Sequence, residues 1–341
     1  MPDLAFVWLI GGIAIVGCGR SELGSEPVQA ATIPDCTRGS PEVVYSFEHE
    51  SRLVGTTLAD EASAYVLLES DPTDGNDTIS LIRVSKSDRG KHELAKMFGA
   101  RELVSYADSL LTSSGSELVR IPKDGGAVES IAKVPLIGMG SSRIGVDGAR
   151  IVVLVGGKEP ELVVFDTPDA PPRHLLVPKQ NQPVLAKLRV HDGSAYVLRN
   201  TLDRVSLETG SVETLVPDAT SWRDFEVDAH GRYWLDSPWP PAGSVEAATT
   251  SVYWRPDGTS DDILLATSSG VGERLLLDEA HVYWKAKVYE DMGIAGRVFR
   301  APLEGGNTLA LPLAASLDAV LAQDPRCLYL SWRSSLVRYS K

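Results

Sequence analysis

The stretch Leu275-Leu276-Leu277-Asp278-Glu279-Ala280-His281-Val282-Tyr283-Trp284, continued by Gly296-Arg297-Val298-Phe299-Arg300 and Glu304-Gly305-Gly306, carries the pattern that decides the fold. A short apolar run ends in an aspartate, an aromatic run follows four to five residues later, and a Val-Arg run leads into an acidic-Gly pair. Short apolar runs bounded by turn residues read as strands, and acidic-Gly pairs supply the positive backbone angles of tight hairpins. The same aspartate recurs as Asp60, Asp108, Asp147, Asp192, Asp228, Asp278 and Asp324, at spacings of 48, 39, 45, 36, 50 and 46 residues.

The second half of the pattern recurs with it. Leu81-Ile82-Arg83-Val84 precedes Asp88-Arg89-Gly90, and Leu118-Val119-Arg120-Ile121 precedes Asp124-Gly125-Gly126. Weaker copies stand at Leu207-Glu208-Thr209-Gly210 and Pro256-Asp257-Gly258. Each unit reads as four strands: an inner strand ending at the aspartate, a second carrying aromatics, a third with Val-Arg, and a fourth after the Gly turn. Four strands in roughly 40 to 45 residues define a propeller blade, which buries its apolar faces only against the next blade. The expected fold is all-β, a seven-bladed β-propeller of four-stranded antiparallel blades spanning residues 42–341. Asp108 lacks a following aromatic, yet its third strand and Gly turn are well formed, which favours seven blades over six.

The seventh unit has strands near Ala319–Gln323, Cys327–Trp332 and Leu336–Tyr339 and lacks a fourth. The N-terminal run Val43-Val44-Tyr45-Ser46-Phe47 belongs to no earlier unit and is expected to supply it, removing an exposed sheet edge. Composition agrees: 43% hydrophobic residues provide a core, and 30 Gly with 21 Pro suit many turns.

Leu4–Val16 is an apolar stretch short for a spanning helix and of signal-peptide length. It ends in Ile15-Val16-Gly17-Cys18, which resembles the bacterial lipobox. The resemblance implies a signal peptide over 1–17 and a lipidated Cys18; an uncleaved hydrophobic anchor is the alternative. Either places the ring outside the cytoplasm, lipid-anchored to a bacterial membrane, with the outer membrane favoured, or periplasmic. Residues 18–41 read as a flexible tether rich in Gly, Ser, Pro, Thr and Glu. Cys36 and Cys327 are then an even pair in an oxidising compartment, where a disulfide between them would staple the ring shut. The chain-entropy account gives such a long loop roughly 4 to 5 kcal/mol. Two buried, unpaired thiols are the alternative.

Few residues announce chemistry. The six histidines, His49, His92, His174, His191, His230 and His281, share no metal-ligand spacing, and HExxH, GxSxG, Walker and dinucleotide motifs are absent. No metal or cofactor is therefore expected. The anchor aspartates read as caps of the turn after each inner strand. The acidic run Asp71 to Asp77 fails EF-hand spacing and reads as a solvated hairpin loop. Tyr253-Trp254, Tyr283-Trp284 and Trp332 are assigned to second strands, packing between blades. A net charge of −13 excludes non-specific nucleic-acid binding and suits a soluble monomeric ring.

What stands out is a face. In a four-stranded meander, the connections between blades and those between second and third strands emerge together. The longest of the latter run over Glu69–Thr78, Asp236–Thr250 and Lys285–Gly296, so they crowd blades five, six and one. Trp222, Trp239 within Pro238-Trp239-Pro240-Pro241, and Tyr289 fall in this sector. Arg143, Arg189, Arg223 and Arg274 recur before inner strands, at the channel mouth, where they could hold an anionic ligand or pair with neighbouring acids. The repeat from Val282-Tyr283-Trp284 to Gly305-Gly306 resembles extracytoplasmic propellers with YWTD-like or NHL-like units. That resemblance implies a binding or scaffold module for a protein or glycan partner. The rival expectation is a propeller lyase or hydrolase with its site over the channel mouth.

Overall fold

The computed structural model describes residues 41–47, 52–69, 78–134, 143–156, 160–178, 186–238, 248–290, 293–315, 321–332 and 335–341. Cys18, Cys36, His49, Asp71–Asp77 and Trp239 lie outside them, as do the expected signal peptide and all of the expected tether but Pro41.

The chain forms seven four-stranded antiparallel sheets. Strand β1 (Glu42–Ser46) comes first and belongs to the last sheet. Blade one is β2 (Arg52–Ala59), β3 (Ser63–Glu69), β4 (Thr78–Ser85) and β5 (Lys91–Phe98). Blade two is β6 (Val104–Tyr106), β7 (Ser109–Ser114), β8 (Glu117–Pro122) and β9 (Glu129–Lys133). Blade three is β10 (Ile144–Asp147), β11 (Arg150–Val155), β12 (Glu161–Phe165) and β13 (Arg173–Leu176). Blade four is β14 (Lys187–His191), β15 (Ser194–Leu198), β16 (Leu202–Ser206) and β17 (Val212–Val216). Blade five is β18 (Trp222–Asp228), β19 (Gly231–Asp236), β20 (Thr249–Pro256) and β21 (Ile263–Ser269). Blade six is β22 (Val271–Leu277), β23 (His281–Glu290), β24 (Gly293–Pro302) and β25 (Leu309–Ala315). Blade seven is β26 (Leu321–Gln323), β27 (Cys327–Trp332), β28 (Ser335–Ser340) and β1.

The N-terminal strand completes the C-terminal blade. Val43 pairs with Val337 and Ser46 with Ser335, and Glu42 is bound by Arg338 at 2.7 Å. From blade two round to blade seven the first strands of neighbouring blades pack side by side, and β26 packs on β2. Strands in the middle of a blade are covered on both faces, so β3 is buried over Ser63–Leu67 and departs from simple alternation. Among the described residues the apolar interior divides into seven clusters, one per seam between blades. Tyr233, Trp234, Tyr283, Trp284 and Tyr329 are all buried in them. Tyr253 and Trp254 depart from expectation: they lie on β20, a third strand, and are only half-buried.

The aspartates punctuate every inner strand but cap only part of the ring. Asp60, Asp228, Asp278 and Asp324 each accept the backbone N–H groups two and three residues on, at 2.7 to 3.1 Å. Blades two, three and four turn differently. Asp192 and Gly193 form a two-residue turn with φ of 44° and 68°, so the aspartate is itself the turn. Asp147 reaches into the next blade, accepting the Gly193 N–H at 2.9 Å.

Three aspartates belong to a further interlock. Tyr65, Tyr283 and Tyr329 donate to Asp60, Asp278 and Asp324 at 3.0, 2.9 and 2.8 Å. A lysine immediately following the third strand of the next blade completes each set. Lys86 bonds Asp324 and the Asp60 carbonyl, Lys123 lies 3.7 Å from Asp60, and Lys341 lies 3.2 Å from Asp278. These latches join blades six to seven, seven to one and one to two, the arc that contains the ring closure.

Candidate binding site at the channel mouth

Each inner strand starts on the face carrying the connections between blades and ends at the opposite turn. Counting back from that turn sets equivalent positions. The turn pairs are Tyr106 with Ser109, Asp147 with Arg150, His191 with Ser194, Asp228 with Gly231, and Asp278 with the His281 it bonds. Four residues before the first member of each pair stand Glu102, Arg143, Lys187, Asp224 and Arg274. One position in five consecutive blades is thus ionisable, and the side chains converge. Glu102 of blade two is influenced by Arg189 of blade four and Arg274 of blade six.

The partners are specific. Glu102, 9% exposed, accepts the backbone N–H groups of Arg143 at 2.7 Å and Ile144 at 3.2 Å. Burial pushes its carboxyl up to about 7, against those two N–H groups and the cations facing it. Asp224 is fully buried, with Lys187 at 2.9 Å, Arg189 at 3.3 Å and the Leu275 N–H at 3.0 Å. Burial would raise its pKa, but Lys187, Arg189, Arg274 and the Leu275 N–H outweigh that and hold it below the usual carboxylate range. Arg189 also forks Glu226 with two bonds of 2.8 Å, and burial lowers the pKa of Lys187.

The expected site residues separate accordingly. Arg189 lies inside β14, with its guanidinium committed to Asp224 and Glu226. Arg223 occupies a bulge in β18, and its Nε donates to the Ser237 carbonyl at 2.8 Å. Arg143 immediately precedes β10, and Arg274 lies inside β22 beside a second bulge. Glu273, at that bulge, binds Lys285 at 2.8 Å and Lys287 at 2.5 Å. Arg274 itself makes no hydrogen bond or ion pair among the described residues, and its buried Nε has no partner. Trp222 is half-buried and stacks on Trp234, ring centroids 4.4 Å apart at 12°.

The insertion expected at Lys285–Gly296 is a regular hairpin rather than a loop. β23 and β24 pair without a break from His281–Pro302 to Glu290–Gly293. The neighbouring pairings end at Lys287 on one side and at Gly296 on the other. The rungs Val288–Ala295, Tyr289–Ile294 and Glu290–Gly293 therefore stand above the blade. Ile294 is 43% exposed there.

The concavity lined by Asp147, Arg150, Asp166, Arg173 and Glu208 holds Arg150 and Arg173, both 3.0 Å from Asp166. Among the described residues no group of three or more His, Cys, Asp or Glu could hold a metal ion.

No protein-family model matches the chain, and no curated protein matches it. Solved structures do. Oligogalacturonate lyase from Vibrio parahaemolyticus superposes with a TM-score of 0.61 at 8% identity, covering 89% of this chain and 98% of that one. The β-propeller domain of the Trilobed protease from Pyrococcus furiosus, described as an open velcro topology, gives 0.60 at 10% identity over 85% and 95%. The AfRom2 CNH domain gives 0.56 at 11% identity over 89% and 99%. Identities this low carry the fold alone: the chain is a seven-bladed β-propeller.

Proposed function

We propose that this chain is a membrane-tethered extracytoplasmic binding propeller, lipidated at Cys18, that engages a protein or glycan partner through the face carrying the blade five and six insertions. The observation that carries this reading is the free-standing top of the β23–β24 hairpin, which offers Tyr289 and Ile294 beyond the blade. A rigid scaffold that extends ordered chain into a projection on its loop-bearing face has the anatomy of a contact surface. Two further expectations support an exported module. Cys18 closes an apolar stretch of signal-peptide length. Cys327, 5% exposed in the seam between blades seven and one, is not a free thiol, in keeping with a bond to Cys36.

The test uses the full chain expressed in a bacterium that lipidates exported proteins. Wild type should sediment with membranes and a Cys18→Ser variant should not. Partners captured from the membrane fraction should be lost on deleting 239–247 or making Tyr289→Ala. An unchanged partner set in both variants sinks the assignment of this face.

A further inference from the structure

Four carboxylates at the channel mouth are matched; Arg143, Arg223 and Arg274 each leave one buried guanidinium nitrogen unbonded, and whereas Arg143 and Arg223 interact elsewhere, Arg274 makes no hydrogen bond or ion pair among the described residues. Glu102 is held by two backbone N–H groups, Asp224 by Lys187, Arg189 and a backbone N–H, Glu226 by Arg189, and Glu273 by Lys285 and Lys287. Arg274 is drawn electrostatically by Glu102 and Asp224 yet bonds neither. A guanidinium has five donors in a fixed fork, and leaving a buried donor unmatched costs about 1–3 kcal/mol. The layer of Glu102, Arg143, Lys187, Asp224 and Arg274 holds three cations against two acids, a local surplus of positive charge in a chain of net charge −13.

We propose that the channel mouth is a binding site for a small monocarboxylate, gripped by the guanidinium of Arg274 within the charged layer formed by Glu102, Arg143, Lys187 and Asp224. This rests on the reading of the same face as the ligand-binding face and names the chemistry it recognises. A planar carboxylate accepts two parallel N–H bonds from one guanidinium. With Glu102 ionised, the ligand's single charge matches the layer's surplus, whereas a dianionic phosphate would then face Glu102 and Asp224 with one charge too many. Glu102 makes the site responsive to acidity. The groups facing it are the backbone N–H groups of Arg143 and Ile144 at the start of β10, the guanidinium of Arg143, Arg189 from β14 and Arg274 from β22. Because its carboxyl titrates near neutrality, acidification removes one negative charge from the layer that faces Arg274 and tightens binding.

The experiment titrates the full chain with isotopically labelled acetate, read by NMR, against chloride and inorganic phosphate at equal ionic strength. Acetate should bind wild type, weaken at least tenfold in Arg274→Gln, and stay unchanged in Arg204→Gln, an outer-surface control whose ion pair with Glu213 is exposed. Binding should tighten about tenfold from pH 8.5 to 5.5 in wild type. Glu102→Gln should keep acetate binding and lose that pH dependence. Acetate binding equally well to Arg274→Gln, or phosphate competing more strongly than acetate, overturns the proposal. Should Arg274→Gln not fold, a pH dependence that persists in Glu102→Gln overturns it and its disappearance supports it. Absence of acetate binding in a protein that still captures partners through 239–247 sinks the carboxylate site and leaves the binding-module reading standing.

Discussion

Glu102 concentrates the chemistry of the channel in one carboxyl. Its folded pKa of about 7 lies above the ordinary value of 4.5, so the folded protein keeps a proton that the unfolded chain has released. The sign follows: stability is unaffected below the unfolded pKa, declines as pH rises through the window from 4.5 to 7, and stays reduced above it. At 1.36 kcal/mol per unit the full cost is about 3 kcal/mol, an upper bound for a group that relaxation and water can partly relieve. Glu102→Gln keeps an acceptor for the Arg143 and Ile144 N–H groups and removes the proton. Denaturant unfolding at pH 8 should show the variant more stable than wild type by up to that amount, with little difference at pH 4. Equal stabilities at pH 8 would refute the buried-acid account. Part of this site was legible in sequence. The recurrence of arginines before inner strands singles out Arg143 and Arg274, which share a position, together with Arg189 and Arg223, which do not, and passes over Glu102, Lys187 and Asp224. The physical reason is local: Asp108 and Asp192 sit within their turns, two and one residues past the last residue of the inner strand, so a fixed spacing from the aspartates misses the shared position in blades two and four, and a bulge displaces Arg223.

At the scale of elements, the closing strand was readable because β1 repeats the apolar composition of a blade strand with no partner in its own neighbourhood. The blade six hairpin was not readable as a hairpin. Lys285, Lys287 and Tyr289 look like loop residues in sequence, yet Glu273 neutralises both lysines from the adjacent strand, leaving them free to stay in the ladder. The closing strand also carries the consequence of the proposed Cys36–Cys327 bond. Cys327 opens β27, two strands inward from β1 in the same sheet, and Cys36 lies six residues ahead of Glu42. In a Cys18→Ser background only these two cysteines are left. Thiol titration of the unreduced, denatured protein should then find none reactive, and reduction should cost roughly 4 to 5 kcal/mol of stability, less any native strain. Two reactive thiols before reduction would remove the bond.

For the whole molecule, a propeller has seven equivalent seams in outline but unequal ones in chemistry. Each seam holds an apolar cluster, and repetition makes the ring as stable as its weakest junction allows. The junction between blades seven and one joins the two ends of the chain, and there the interlock is most deeply buried. Lys86 is 3% exposed and Asp324 9%, with Tyr329 donating to the carboxylate and lying 4.6 Å beneath the ammonium. Burial lowers the pKa of Lys86 and Asp324 opposes it, the balance expected where a charge is tolerated only because its partner is present. Removing the lysine would strand a buried carboxylate. Lys86→Met should therefore destabilise the ring by about 3–5 kcal/mol, the range for breaking a buried pair. Lys123→Ala provides the comparison: its partner is 3.7 Å away and both side chains are partly solvated, so it should cost no more than about 1 kcal/mol. Denaturant unfolding of the two variants would measure the contrast, and equal losses would mean that the closing seam gains nothing from burying its latch. A cooperative single transition in wild type that splits in two for Lys86→Met would show that this pair couples the ends of the chain into one folding unit.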